Sequence, residues 1–309
     1  MKVFLTGSSG LVGAALARAA SRRGHHVVGV VGRYRGDLEG VAEKLTMDLT
    51  QPELVKRSLL DVFPDVIVNC AAISEPAACD ADPIGSEAMN VGLPRILAEV
   101  ATHLGARLIH ISSEQVFDGE RETPYAEPDE VRPINLYGRQ KLASERDVLR
   151  AAPTTAIVRA PLLMGDSPGG RRGLHERMLL DWSAGRTPRL FTDEFRQPCT
   201  AENLAEVLLE LAERPGEAGV FHWAGMELLS RYDLGIRIRE HFKLSEHDAP
   251  IITVSRSAVP DIARGRQPCL AIDLNRLAAR LKTRPQTIAE QLGGLKVPPP
   301  CRDWFLRPH

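Results

Sequence analysis

Short apolar runs alternate with longer amphipathic segments along the first half of the chain. The runs at residues 3–5, 26–31 and 65–72 consist mainly of valine, isoleucine and other apolar residues, which is typical of buried strands. Between and after them, residues 14–23 and 84–103 have the composition and spacing of helices. Strands that alternate with helices in this way predict βαβ units, and therefore an α/β fold with a doubly wound parallel sheet.

Glycines follow the first strand at three regularly spaced positions. Gly7, Gly10 and Gly13 form the pattern Gly-x-x-Gly-x-x-Gly between the strand at 3–5 and the helix at 14–23. Glycine allows a sharp turn and a close approach to a pyrophosphate, whose charge is stabilised by the free N–H groups at a helix N-terminus. The motif therefore predicts a dinucleotide-binding domain of the Rossmann type.

The residues after the second strand favour NADP(H) over NAD(H). A protein that binds NAD usually has an acidic residue about 20 positions after the glycine motif, where it contacts the ribose 2′-hydroxyl. This chain has Gly32-Arg33-Tyr34-Arg35 instead, and two guanidinium groups can pair with a 2′-phosphate. A solvated basic loop is the alternative explanation of these arginines. Asp48 is a candidate partner of the adenine amino group, although it could instead cap a turn.

A serine and a tyrosine–lysine pair are the strongest candidates for catalysis. Ser113 follows an apolar strand that begins at Arg107, and Tyr137 and Lys141 lie one helical turn apart on one helix face. A nearby ammonium favours the phenolate, so we expect Lys141 to lower the pKa of Tyr137 from its ordinary value of about 10. In a ketone reduction, Tyr137 would protonate the alkoxide while Ser113 donates a hydrogen bond to the same oxygen.

Composition and charge argue against several other classes of function. The formal net charge of −1 provides no basic field for a nucleic acid or an anionic membrane, and no apolar run reaches membrane-spanning length. The five cysteines never have the spacing Cys-x-x-Cys, which favours reduced thiols and a cytoplasmic protein. The nine histidines form no helix-face pair with a carboxylate, so we expect no metal site.

Four motifs together resemble the extended short-chain dehydrogenase/reductases. They are Gly7-x-x-Gly10-x-x-Gly13, Asn69-Cys-Ala-Ala72, Ser112-Ser113-x-x-Val116-Phe117 and Tyr137-x-x-x-Lys141. Further motifs over nearly the whole chain are similar to the dTDP-4-dehydrorhamnose reductase branch, namely Phe117-Asp-Gly119, Pro124-Tyr-Ala-Glu127-Pro-Asp129, Pro133-x-x-x-Tyr137-Gly-x-x-Lys141, Gln197-Pro-Cys-Thr200 and Val220-Phe-His-Trp-Ala-Gly225. The resemblance implies NADPH-dependent reduction of a keto group on a nucleotide-linked deoxysugar, with Lys141 also holding the nicotinamide ribose.

A smaller C-terminal α/β lobe is expected to bind the substrate beside the Rossmann domain. We assign residues 1–161 and about 196–224 to the Rossmann domain, and about 162–195 and 225–309 to the substrate-binding lobe. The expected partner is a small nucleotide sugar, with no nucleic acid and no membrane, and the protein is expected to be a monomer or a homodimer.

The predicted binding residues extend over the carboxyl edge of the sheet. The residues predicted to contact NADP(H) are Gly7, Ser9, Gly10, Leu11, Val12, Gly13, Arg33, Arg35, Asp48, Leu49, Cys70, Ala71, Ala72, Asn90, Ile111, Tyr137, Lys141 and Ala160. The residues predicted to contact the substrate are Ser74, Glu75, Ser113, Glu114, Gln115, Leu162, Arg196 and Arg266.

The two residues after Ser113 distinguish among reactions of the superfamily. Nucleotide-sugar dehydratases of this superfamily often have an acidic pair there, whereas this chain has Glu114-Gln115, and glutamine cannot act as a base. Dehydration is therefore disfavoured, although the reductases typically have Asp-Tyr at this place.

Two alternatives stay open: an epimerase that retains NAD, against which Arg33 and Arg35 argue, and a non-catalytic NADP-binding subunit resembling the methionine adenosyltransferase beta subunit. Some members bind magnesium through a glutamate where this chain has Ala14-Ala15, so no such ion is expected.

Overall fold

The computed structural model describes residues 1–307 and contains a seven-stranded parallel sheet with helices on both faces. The elements up to β6 are β1 (Lys2–Thr6), α1 (Leu11–Arg22), β2 (His26–Val31), β3 (Glu43–Thr46), α2 (Pro52–Val62), β4 (Val66–Asn69), α3 (Pro76–Ala81), α4 (Pro83–Glu87), α5 (Leu93–Leu104), β5 (Arg107–Ser113), α6 (Leu136–Ala151) and β6 (Ala156–Ala160). The remaining elements are β7 (Leu163–Met164), α7 (Leu174–Ser183), β8 (Arg189–Phe191), β9 (Phe195–Arg196), β10 (Cys199–Thr200), α8 (Ala201–Ala212), β11 (Gly219–His222), β12 (Leu229–Ser230), α9 (Arg231–His241), β13 (Ile252–Val254), α10 (Pro260–Ala263), β14 (Cys269–Leu270), α11 (Asn275–Ala278), α12 (Ile288–Gly293) and α13 (Arg302–Phe305).

The main sheet has the strand order β3-β2-β1-β4-β5-β6-β11, and every neighbouring pair is parallel. The order reverses between β1 and β4, so the connections from these strands lead to opposite sides and a crevice forms at their carboxyl ends. Thr6 and Asn69, the last residues of β1 and β4, are paired at this point. The predicted doubly wound Rossmann-type α/β fold is confirmed.

Alternate residues of each strand point to opposite faces of the sheet and fill two separate cores. On one face, Val3 and Leu5 of β1 belong to the core that contains α1 and α8. On the other face, Phe4 of β1 and Ile67 of β4 belong to the core that contains α2 and α5. All four side chains are fully buried, and burial of each contributes about 1.5–3 kcal/mol. The two layers of helices therefore fix the strand ends that border the crevice.

A third apolar cluster lies outside the sheet and joins segments that follow β6. Trp182 of α7, Leu234 of α9 and Leu292 of α12 belong to this cluster. Its members come from both segments that we assign to the substrate lobe, whereas Leu277 of α11 packs in the main core. The division into two lobes stays a proposal, and residues 308–309 of the second lobe lie outside the described part. None of the helices within residues 1–307 is long and apolar enough to cross a membrane.

The helix expected at residues 84–103 is interrupted in the structure. A π-helical turn at Ala88–Gly92 separates α4 from α5. Pro94 has no N–H to donate to the carbonyl of Asn90, so a continuous α-helical hydrogen-bond ladder cannot form there. Asn90 lies within this wider turn, where its side chain is free to bind the loop that follows β4.

Candidate active site

A cleft of about 490 Å³ lies at the carboxyl ends of β1, β2 and β4, where the strand order reverses. Its walls come from the glycine turn, the loop after β2 and the segment after β4. The lining residues are Gly7, Ser9, Gly10, Gly32, Arg33, Thr46, Met47, Asp48, Leu49, Cys70, Ala71, Ala72, Ile73, Met89 and Arg172. The structure thus brings together most of the predicted cofactor residues that follow β1, β2 and β4.

The glycine turn has no room for side chains. Gly7 has a φ of +67°, and a Cβ atom on it would lie 2.8 Å from the N atom of Ala71. A Cβ atom on Gly13 would lie 2.2 Å from the carbonyl oxygen of Gly7. The N-terminus of α1 has neither a capping side chain nor an acidic residue in its first turn, so its N–H groups are available to an anion. These residues fit the pyrophosphate of a dinucleotide.

Arg33 and Asp48 bring opposite charges to the cleft, whereas Arg35 is exposed and lies outside the lining. Oδ1 of Asp48 accepts hydrogen bonds from the N–H and the hydroxyl of Thr50, at 2.9 and 2.7 Å. These hydrogen bonds lower the pKa of Asp48, and Arg33 contributes to the same effect. These hydrogen bonds lie in the turn before α2, whose N-cap is Gln51.

The predicted catalytic residues are brought together at the junction of β5 and α6. Ser113 ends β5 and Tyr137 lies in the first turn of α6, where the Ser113 hydroxyl is near enough to act on the pKa of the Tyr137 phenol. Asn135 caps α6 by accepting a hydrogen bond of 2.8 Å from a backbone N–H of the first turn. Lys141 donates a hydrogen bond of 3.0 Å to the carbonyl of Ile111, and its Nζ atom lies 5.8 Å from the centre of the Tyr137 ring. The three predicted catalytic side chains are all buried.

Burial dominates the electrostatics of this site. It raises the pKa of Tyr137 well above the usual range, and the nearby hydroxyl of Ser113 opposes this effect. The expectation that the pKa of Tyr137 is lowered is therefore wrong, because loss of solvent around the phenol raises it and the nearby Glu114 acts in the same direction. Burial also lowers the pKa of Lys141 to about 8, against the opposing charge of Glu145. Tyr137 is thus a neutral phenol, which is the form that can donate a proton.

A buried ion pair lies behind the catalytic residues. Glu145 accepts two hydrogen bonds from Arg159, of 2.9 and 2.8 Å, and both side chains are almost inaccessible to solvent. Ser112 donates a further hydrogen bond to the same carboxylate. Because these residues come from β5, α6 and β6, the pair fixes the helix that contains Lys141 against two strands of the sheet.

Three arginines surround two buried glutamates beside the end of β5. Arg266 donates hydrogen bonds of 2.6 and 2.8 Å to Glu194, and nitrogen atoms of Arg196 and Arg231 lie 3.3 and 3.9 Å from the same carboxylate. Arg196 also lies 3.4 Å from Glu114, whose Oε2 atom has no hydrogen-bond partner among the described residues. Burial raises the pKa of Glu114 to about 8, despite Arg196 and Arg231. The cluster brings together three predicted substrate residues, Glu114, Arg196 and Arg266. Glu194, which also belongs to it, was not predicted from the sequence.

The predicted substrate residues Ser74, Glu75 and Gln115 lie elsewhere around the site. Ser74 and Glu75 are exposed in the loop after β4, and Glu75 forms an ion pair of 2.9 Å with Arg177 of α7. Gln115 accepts a hydrogen bond of 2.9 Å from Asn135. Its amide therefore supports the residue that caps α6.

Several predicted binding residues lie next to the cleft rather than in its lining. Asn90 accepts a hydrogen bond from the N–H of Ile73 and donates one to the Ile73 carbonyl, both at 2.9 Å, and thereby positions a lining residue. The others are Leu11, Val12 and Gly13 in the first turn of α1, Arg35 after β2, and Ile111, Ala160 and Leu162 near the ends of β5 and β6.

Six lining residues were not predicted. Thr46 ends the edge strand β3, Met47 follows it and Met89 comes from the π-helical turn, so no motif marks them. Arg172 comes from the loop before α7, where two adjacent arginines among glycines were the available signal. The remaining two are Gly32 and Ile73.

Asp166, His175 and Glu176 form a separate polar group at the base of the loop before α7. One potential ligand atom from each lies within 4.8 Å of the others, although the sequence led us to expect no metal site. Glu176 already accepts hydrogen bonds from three backbone N–H groups of the preceding loop and from the hydroxyl of Ser167. Its carboxylate therefore has little remaining capacity for a cation, and the group acts as an anchor of the loop.

Comparison with known proteins shows similarity over nearly the whole chain. A family model for the RmlD substrate binding domain matches residues 1–294. The chain is 32% identical over 301 residues to a probable low-salt glycan biosynthesis reductase of Haloferax volcanii, covering 96% of this chain and 98% of that protein. It is 34% identical over 271 residues to the methionine adenosyltransferase 2 subunit beta of Rattus norvegicus, covering 82% of this chain and 78% of that subunit.

Solved structures have the same architecture. A crystal structure of a hypothetical dTDP-4-dehydrorhamnose reductase from Sulfolobus tokodaii has a TM-score of 0.80 and 28% identity, covering 96% of this chain and 100% of that one. Other solved structures of this fold contain NADP or NAD, and at 20% and 19% identity their likeness shows the fold alone.

Proposed function

The chain belongs to the family of the RmlD substrate binding domain, in the dTDP-4-dehydrorhamnose reductase-like branch of the extended short-chain dehydrogenase/reductases, and we propose that it reduces a keto group on a nucleotide-linked deoxysugar with NADPH. The observation that carries this proposal is the buried arrangement of Ser113, Tyr137 and Lys141 beside the cleft. Lys141 lies near Cys70, which lines the cleft. Burial raises the pKa of the Cys70 thiol to about 12, and the positive charge of Lys141 opposes this rise.

The catalytic side chains have complementary roles in this reaction. Bound NADPH supplies a hydride for the carbonyl carbon. The phenol of Tyr137 donates its proton to the alkoxide oxygen, and Ser113 donates a hydrogen bond to the same oxygen. Burial favours this role because the neutral phenol retains its proton until the alkoxide develops. Lys141 holds the nicotinamide ribose, and its hydrogen bond to Ile111 keeps its ammonium group in place.

The charge of the cleft supports NADPH as the cofactor. Arg33 lines the cleft after β2, and a guanidinium group binds a phosphate through charge-assisted hydrogen bonds. Asp48 is the acidic residue of the lining, and its Oδ1 atom is already bonded to Thr50. An epimerase that retains NAD would gain nothing from Arg33, so reduction with NADPH is the better explanation.

The three arginines around the buried carboxylate of Glu194 support an anionic substrate such as a nucleotide sugar. Arg196, Arg231 and Arg266 bring three positive charges, and Glu194 brings one negative charge. Because the pKa of Glu114 is raised to about 8, this carboxyl is neutral at lower pH and leaves the cluster with an excess of positive charge. Gln115 has no acid–base function and is bonded to Asn135, which argues against dehydration.

Oxidation of NADPH with a panel of 4-keto nucleotide sugars tests the proposal. We expect at least one such sugar to oxidise NADPH, at a higher rate than NADH, and the absorbance of the reduced nicotinamide measures both rates. If no 4-keto nucleotide sugar is reduced by a protein that binds NADPH, the proposed reaction is wrong.

A non-catalytic, NADP-binding regulatory subunit is the second candidate function. The identity of 34% to the methionine adenosyltransferase 2 subunit beta, over 82% of this chain, is the observation that favours it. Size-exclusion chromatography of this chain mixed with the methionine adenosyltransferase catalytic subunit of the same organism tests it. A stable complex together with no NADPH oxidation would support the regulatory role, whereas separate elution would contradict it.

A further inference from the structure

A loop of the proposed substrate lobe reaches the glycine turn of the cleft. After β7 the chain forms a loop at residues 165–173, before α7 begins. Arg172 of this loop lines the cleft together with Gly7, Ser9 and Gly10. Its Nη1 atom lies 3.9 Å from the point at which a Cβ atom on Gly10 would stand. A guanidinium group therefore lies beside the turn whose backbone fits the pyrophosphate of the cofactor.

Hydrogen bonds to one buried carboxylate fix this loop. Glu176 of α7 accepts hydrogen bonds from the N–H groups of Ser167, Arg172 and Gly173, at 2.7, 2.8 and 2.7 Å. The hydroxyl of Ser167 donates a further one at 2.7 Å. Glu176 is 1% exposed, so solvent does not compete for these hydrogen bonds. Because the backbone of Arg172 is fixed before a ligand arrives, less conformational entropy is lost on binding.

The C-terminal segment packs against another part of the same loop. Gly170 has a φ of +64°, and a Cβ atom on it would lie 3.0 Å from Pro298 and 3.1 Å from Pro299. The N–H of Lys296 donates a hydrogen bond of 3.1 Å to Asp166 at the start of the loop. The loop is thus supported by α7 and by the C-terminal segment, while Arg172 borders the cleft.

The chemistry of the neighbouring residues favours an anion beside Arg172. The N-terminus of α1 offers uncapped N–H groups there and has no acidic residue in its first turn. A guanidinium group can donate two parallel hydrogen bonds to one phosphate, which a lysine ammonium cannot do with the same geometry. The phosphate chain of a dinucleotide has this charge and lies next to the glycine turn in Rossmann folds.

We infer that Arg172 binds the pyrophosphate of the cofactor, so that the dinucleotide is held between the glycine turn and the loop at residues 165–173. This rests on the proposed function, in which NADP(H) occupies the cleft. Since NADPH and NADH share the pyrophosphate, Arg172 contributes equally to the binding of both. Arg33, in contrast, acts on the 2′-phosphate of NADPH alone.

Fluorescence titration of Arg172→Ala with NADPH and with NADH tests the inference. We expect the Kd of both dinucleotides to rise by a similar factor, about 10–100-fold, as for the loss of hydrogen bonds to a charged group. Arg171→Ala is the matched control, because Arg171 is an adjacent, exposed arginine outside the cleft lining. Arg172→Lys retains the charge without the planar group and should show an intermediate loss. Thermal midpoints verify that the variants are folded.

Each outcome separates the inference from the proposed function. If Arg172→Ala binds both dinucleotides as tightly as the wild-type protein, the inference is overturned and the proposed cofactor remains. A loss for NADPH alone would also overturn it, because that result assigns the guanidinium to the 2′-phosphate. Equal losses in Arg171→Ala and Arg172→Ala would reveal a general charge effect and overturn it as well. If the wild-type protein binds neither dinucleotide, the proposed cofactor and the inference are both wrong.

Discussion

Lys141 donates a hydrogen bond of 3.0 Å from its ammonium group to the backbone carbonyl of Ile111. This bond connects α6 to β5 shortly before Ser113, so the helix that contains Tyr137 and the strand that contains Ser113 cannot shift independently. Because the acceptor is a main-chain oxygen, it is present whatever side chain stands at residue 111. The geometry of the catalytic residues is therefore set by the backbone of the sheet.

Replacement of Tyr137 with phenylalanine is expected to abolish turnover and leave NADPH affinity nearly unchanged. The substitution removes the proton donor, and general acid catalysis contributes about 10²–10⁴-fold to such reactions. The kcat for a 4-keto nucleotide sugar and the Kd for NADPH are measured on the same preparation. Tyr232→Phe, at a half-buried position of α9, is the control for loss of a phenol elsewhere. A Tyr137→Phe enzyme with wild-type kcat would end the proposed mechanism.

Arg33→Ala is expected to raise the Kd of NADPH by about 10–100-fold while that of NADH changes little. Only NADPH has the 2′-phosphate with which this guanidinium group can pair. Arg35→Ala should alter both affinities only slightly, because Arg35 lies outside the cleft lining. Titration of the two variants with both dinucleotides measures the difference. Equal losses for NADPH and NADH in Arg33→Ala would mean that the 2′-phosphate binds elsewhere.

Glu114→Gln is expected to stabilise the protein increasingly as the pH rises from about 4.5 to about 8. Burial raises the pKa of Glu114 from 4.5 to about 8. Below pH 4.5 the Glu114 carboxyl is protonated in both the folded and the unfolded state. Between pH 4.5 and about 8 it is protonated only in the folded state, so unfolding releases a proton and a higher pH favours unfolding. Each pKa unit corresponds to about 1.4 kcal/mol.

Thermal midpoints at pH 5 and pH 8.5 measure this effect. The midpoint of Glu114→Gln relative to the wild-type protein should be higher at pH 8.5 than at pH 5. Glu120→Gln, which alters an exposed carboxylate in the loop before α6, is the control. A constant difference between Glu114→Gln and the wild-type protein at both pH values would show that Glu114 is ionised in the folded state.

Arg159→Met is expected to lower the free energy of unfolding by about 3–5 kcal/mol, because it leaves the Glu145 carboxylate buried without its partner. Arg57→Met is the control, since Arg57 and Asp61 form an exposed pair and should contribute less than about 1 kcal/mol. Denaturant unfolding measures both changes. The double variant Arg159→Met, Glu145→Met removes the unpaired charge and should recover part of the loss. Equal effects of Arg159→Met and Arg57→Met would contradict a structural role of the buried pair.

Features that depend on neighbouring residues were predicted well. The strand His26–Val31 has the bounds expected from its apolar run, and the glycine turn lies between β1 and α1 as the motif predicted. Tyr137 and Lys141 share a helix face because their spacing matches one helical turn. Residues that are close together in the sequence determine each of these features, and tertiary packing did not alter them.

Features that depend on contacts between distant segments were not predictable in the same way. Glu194 and Arg231 meet at the end of β5, and nothing in their own neighbourhoods indicates this contact. Arg172 borders the glycine turn, which is distant in the chain, and hydrogen bonds to Glu176 hold its loop in place. The pKa of Tyr137 was predicted in the wrong direction because desolvation is a property of the packed structure.

The late position of β11 in the chain has a consequence for biosynthesis. β11 at Gly219–His222 pairs with β6, which ends at Ala160, so β6 has no partner on that side until residues 219–222 leave the ribosome. An unpaired edge strand can pair with the edge of another chain. Translational slowing between residues 160 and 222 would prolong this aggregation-prone interval.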